Sequence, residues 1–115
     1  MSPIDITRAL PVVSAEEFAR WLASGAASDG DVVVAIYKKG SGKQTVSFDE
    51  LLEVALCHGW VDTQTKGIDD DRYAIRFMPR RPGSNWSERN RAIARRLVDG
   101  GRMTEAGKAA LPKDF

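Results

Sequence analysis

Asp71-Arg72-Tyr73-Ala74-Ile75-Arg76-Phe77-Met78-Pro79-Arg80-Arg81-Pro82-Gly83-Ser84-Asn85-Trp86-Ser87-Glu88-Arg89-Asn90 changes its period half-way along. From 72 to 78, Tyr73, Ile75 and Phe77 alternate with Arg72, Ala74 and Arg76, which predicts a strand with one apolar and one wet face. Such a strand is antiparallel or lies at a sheet edge. Pro79 cannot donate to a ladder and predicts the strand's end. Past Pro82-Gly83, Ser84 or Ser87 can cap a helix running to about 98 and stopping at Gly100-Gly101. Trp86, Asn90, Ile93 and Leu97 share one stripe of it, with Arg89 and Arg96 on its flanks. A one-sided strand followed by a separate amphipathic helix points to an α+β domain.

Residues 1–12, with Pro3 and Pro11, read as an extended, partly frayed lead-in, and 13–115 as one domain. Ser14 and Glu17 form a capping box for a helix over 15–24, with Phe18, Trp21 and Leu22 on one face and Gly25 as its stop. The β-branched run Asp31–Lys38 predicts a central strand covered on both faces. Lys39-Gly40-Ser41-Gly42-Lys43 is a turn that lacks the spacing of a phosphate loop. A second capping box, Ser47 with Glu50, opens an apolar helix over 48–57 that His58-Gly59 ends. Trp60-Val61-Asp62 is a short extended piece, and Thr63–Asp71 a polar loop. Thr104 opens a last short helix that Pro112 closes. The expected architecture is a small antiparallel sheet packed with three main helices, with a helical C-terminal part.

A chain of 115 residues, 43% hydrophobic and 29% charged, is large enough for one core without staples. Its single cysteine, Cys57, excludes an intramolecular disulfide and favours a reducing compartment. The N-terminus lacks the charged-then-apolar pattern of a signal peptide. No apolar run approaches the roughly 18 residues that span a bilayer. The expectation is a cytoplasmic protein without membrane insertion.

The net charge of +1 conceals two opposed blocks. Residues 1–71 carry six basic and twelve acidic side chains, whereas 72–102 carry nine arginines against Glu88 and Asp99. An all-arginine block suits planar recognition of an oxyanion or stacking on an aromatic ring. Either it folds against the acidic half or it meets an external anion. On the second view, Arg76, Arg80, Arg81, Ser84, Ser87, Arg89 and Asn90 gather around the free N–H groups of a helix start. Each charge-assisted bond to a phosphate-bearing or carboxylate ligand would contribute about 1.5–3 kcal/mol. On the first view, Asp62, Asp69, Asp70 or Asp71 already fills those forks.

Other chemistry is sparse. Trp60 and Trp86 could stack on nucleobases, but both fall where core anchors belong, and no nucleic-acid signature is present. Cys57 and His58 are adjacent on a helix end, about 100° apart, which separates a would-be nucleophile from its base. Cys57 reads as a small buried hydrophobe, and His58 as a cation favoured by the helix dipole. One His and one Cys supply too few ligands for zinc, and no cofactor motif appears. Asn90 is an amide on an apolar stripe, set to bond backbone nearby or to face a ligand.

Four ordered segments carry a family resemblance: Ala55–Asp62, Arg76–Pro82, Ser84–Asn90 and Gly101–Gly107. Over Trp21 to about Leu111 the chain resembles the YdeI-like family, also labelled OmpD-associated or bacteriocin-protection proteins. The motif residues that match are Gly59, Trp60, Asp62, Trp86, Gly101, Arg102 and Met103. Thr63 stands where that family usually has glycine, which puts in question any role needing close backbone approach at that turn. The resemblance implies a link to bacteriocin protection or stress, and no reaction. The expected function is a non-enzymatic binding or regulatory module with an Arg-rich anion-binding surface. The alternative is a structural or protein-interaction domain, such as a homodimer, with internally satisfied charges. An enzyme of unknown reaction comes third.

Overall fold

The computed structural model describes residues 4–24, 30–43, 45–80 and 86–111. Within them the elements are β1 (Leu10–Pro11), α1 (Ala15–Ala23), β2 (Val32–Tyr37), α2 (Phe48–Cys57), β3 (Trp60–Gly67), β4 (Arg72–Pro79), α3 (Glu88–Asp99) and α4 (Glu105–Ala109), with a 3-10 turn at Ile6–Arg8. The architecture is α+β. The sheet order is β1-β2-β4-β3. It is mixed rather than purely antiparallel, because β1 runs parallel to β2 while β4 is antiparallel to both neighbours.

Helix starts fall where short polar side chains can replace missing backbone partners. Ser14 Oγ accepts from Glu17 N–H at 3.1 Å, and Ser47 with Glu50 closes a full capping box. Ser87 and Thr104 cap α3 and α4 in the same way. One face of the sheet carries α1 and α2 over Val32, Val34, Ile36, Ile75 and Phe77. Phe18 from α1 meets Phe77 with ring centroids 5.1 Å apart. Helix α2 is apolar on two faces because it is packed on both sides, with Asp49, Glu50 and Glu53 left outside. Leu51, Val54 and Ala55 face the sheet, while Leu52, Leu56 and Cys57 face Ala94 and Leu97 of α3 and Met103 of the connection to α4.

Three expectations change. Residues 63–67 form strand rather than loop, since β3 extends from Trp60 to Gly67 with a bulge between Asp62 and Gln64. Thr65, Lys66 and Gly67 are exposed, so this edge strand lacks the apolar alternation that a half-buried strand shows. The lead-in is not frayed: Ile4 and Val12 are buried, and β1 pairs with β2. Finally, the second face of β4 is not wet. Ile4 joins Val33 and Ala74 in a separate apolar cluster, flanked by Ile6, Ala9 and Ile68. Ala74 is small enough for a single extended segment to cover it, which a 3-10 turn capped by Asp5 then anchors.

Candidate functional site

Arg76 lies on this second face, opposite Val33 in the register, and only 7% of its side chain is exposed. Its Nε lies 2.9 Å from Asp31 Oδ2, an ion pair by distance whose N–H is not aligned on that oxygen. Its Nη1 donates to Gln64 Oε1 at 2.8 Å. Arg8 donates to the other oxygen of Asp31 at 3.1 Å. One carboxylate thus holds two guanidinium groups, one from the N-terminal segment and one from β4. This network tethers the segment where the apolar cluster ends. A buried arginine needs such partners, because desolvating an unpaired charge costs several kcal/mol.

Helix α3 lies on the far side of α2, beyond the opposite face of the sheet. There Asp49 and Glu53, one turn apart on α2, meet arginines of α3 and of the turn that follows it. Arg89 donates to Asp49 at 2.6 Å. Arg96 and Arg102 lie 3.9 and 3.4 Å from Glu53. Arg72 donates from Nε and Nη2 to one oxygen of Asp69, whose other oxygen accepts the N–H groups of Asp71 and Arg72. That pattern orders the β3–β4 turn and holds Asp69 below the usual carboxylate range.

Arg80 follows the end of β4, its N–H donating to the Gly59 carbonyl at 2.8 Å. Its guanidinium carbon sits 3.9 Å from the centre of the Trp86 ring. Burial lowers the pKa of Arg80, and the charge of Asp62 opposes that shift. Trp86 also packs against the α2–α3 cluster, while Trp60 belongs to the main core. Ser87 gives its oxygen to the N–H of Asn90, whose side chain is half-buried. Arg81 and Ser84 lie outside the described residues. The expected convergence is therefore corrected for Arg76, which the sheet and α2 separate from Arg89. Arg80 and Arg89 belong to the helical side, one on an indole ring and the other on a carboxylate.

The remaining motif residues build a joint. Thr104 caps α4, and its N–H and hydroxyl both donate to the Cys57 carbonyl, at 3.0 and 2.6 Å. Gly107 lies against that same carbonyl, where a Cβ would clash. Gly59 has φ +80, and a Cβ there would come within 2.8 Å of the Ala106 carbonyl oxygen. Met103 is buried beneath, and Gly101 turns the chain at φ +70.

A model of the family described as domain of unknown function DUF8412 matches residues 10–110. The chain belongs to that family. No curated protein and no solved structure matches the chain. The DUF8412 match spans both sides of the joint and both charge blocks.

At the joint, burial raises the Cys57 thiol and lowers the His58 imidazole. For His58 this reverses the expectation of a dipole-favoured cation, because desolvation at the packed helix end dominates. Among the described residues no group of three or more His, Cys, Asp or Glu could hold a metal ion, and no helix is long and apolar enough to cross a membrane. Asp31, Gln64, Asp49 and Glu53 are the partners that sequence reasoning missed. The acidic first block and the spacing of Asp49 and Glu53 were the available signals. Beside Gln64, a shallow groove of about 360 Å³ is lined by Ile4, Gln64, Thr65 and Lys66.

Proposed function

We propose that this chain is a non-enzymatic protein-interaction domain of the cytoplasm that self-associates, with its basic block serving the fold. The observation that favours this reading over an anion-binding one is that Arg72, Arg76, Arg89, Arg96 and Arg102 all lie within ion-pair distance of carboxylates from the acidic block. Guanidinium forks already engaged have less to offer an external anion. A cytoplasmic setting suits the single cysteine, which is buried and reduced. The YdeI-like kinship, with its link to bacteriocin protection or stress, belongs to the same proposal and rests on the four ordered motifs.

The competing proposal keeps an Arg-rich anion-binding surface, and what favours it is the Arg80–Trp86 stack near the start of α3. Thermal unfolding in phosphate, and then with a short oligonucleotide, separates the two at matched ionic strength. Internal pairing predicts no saturable rise in Tm beyond the chloride control. A saturable rise that Arg80→Ala removes would favour the anion surface instead.

A further inference from the structure

The two edges of the sheet differ. At one edge β1 is two residues long and ends in Pro11, which has no N–H to offer. At the other, β3 is eight residues long, and among the described residues no strand lies beyond it. Ile68 N–H donates to the Arg72 carbonyl. Antiparallel alternation then assigns the backbone of Lys66 and Gln64 to β4, and turns the N–H and C=O groups of Thr65 and Gly67 outward. The bulge between Asp62 and Gln64 twists the first part of the strand aside, leaving 64–67 as the regular stretch.

We infer that this edge pairs antiparallel with β3 of a second copy, about a two-fold axis at Thr65. The inference rests on the self-association proposed above and names its surface. The register follows from charge. Pairing centred on Lys66 would set two ammonium groups directly opposite each other, which is destabilising. Pairing centred on Thr65 sets Thr65 against Thr65, and Gln64 against Lys66 of the second copy, twice over. Gln64 and Lys66 lie on one face, since their partners Arg76 and Ala74 do, so these cross-strand pairs meet on a common side. Gln64 is held from behind by Arg76. The groove that Ile4, Gln64 and Lys66 line is then where the lysine stem of the second copy comes to lie. The contact is isologous, so it closes as a dimer and leaves at the outer ends only the two short, proline-ended β1 edges.

Sedimentation across a concentration series tests this with the whole chain and two variants. Thr65→Pro removes only an outward-facing N–H, so the fold should survive, as a cooperative melt would verify. The expected result is a wild-type dimer whose dissociation constant weakens by at least about tenfold in Thr65→Pro. Thr65→Cys should form a covalent dimer under mild oxidation, while Ser41→Cys, on a remote turn, should not. This cross-link decides the matter if the proline variant fails to fold. A dimer untouched by Thr65→Pro and not cross-linked by Thr65→Cys would overturn the edge pairing and leave self-association standing. A monomer at every concentration would overturn both.

Discussion

The two faces of the sheet are closed by different means. On the helical face, α1 and α2 bring enough apolar surface to exclude water, and Phe18, Ile75 and Phe77 are fully buried. On the other, a short N-terminal segment lays Ile4 over Val33 and Ala74, and Arg76 completes the closure with Asp31, Gln64 and Arg8. Where little apolar area is available, a buried charge must be matched with a carboxylate. The same matching recurs outside α2, between Arg89 and Asp49 and around Glu53, where exposure makes each pair weaker. Position in the fold, rather than the number of arginines, decides what each one does.

The contrast can be broken most forcefully from the helical side. Phe77→Ala empties the centre of that core and should cost about 3–5 kcal/mol in chemical denaturation. Arg76→Met retains bulk but removes one of the two cations on Asp31. Orphaning a buried charge costs about 3–5 kcal/mol, and Arg8 remains, so a loss of about 2 kcal/mol is expected. A loss as small as that of a surface substitution would mean that charge does not close the second face. Arg89→Ala should cost only about 0.2–1 kcal/mol, and less at high salt. Equal losses at Arg76 and Arg89 would erase the distinction between the sites.

The smallest effect is a pH slope at His58. Burial lowers its folded pKa below the unfolded value of about 6.5, so the unfolded chain takes up the proton first. Stability should be complete above that pH and decline as pH falls from there towards the folded pKa. His58→Gln should flatten the Tm–pH curve in that window; an unchanged curve would remove His58 as its source.

Capping boxes, β-branched runs and terminal glycines made α1, α2, β2, β4 and α3 legible, because those signals are local. Strand β3 was hidden, since its outer half is exposed and polar, and only the β-branched Thr63 and Thr65 hinted at it. The cover over Ala74 was also invisible: nothing local to Ile4 says which face of which strand it will meet. Similarly, Arg76 and Arg89 lie close in sequence and suggested one surface, yet the strand sends the first through the sheet while the helix carries the second around α2. Charge imbalance between the blocks announced that pairing was available, without saying which acid meets which arginine. Gly59 and Gly107 stood out as motif residues, but their close approaches to Ala106 and Cys57 are tertiary.

A double-mutant cycle on Arg76→Met and Asp31→Asn, by denaturation at low and high salt, probes internal charge matching most directly. Loss of the Arg8 contact appears in both arms that alter Asp31, so the cycle isolates the Arg76–Asp31 term. The structure predicts a coupling of about 1–3 kcal/mol that largely persists at about 1 M salt, because the Arg76 guanidinium is buried. Additive single mutants, or a coupling abolished by salt, would contradict it.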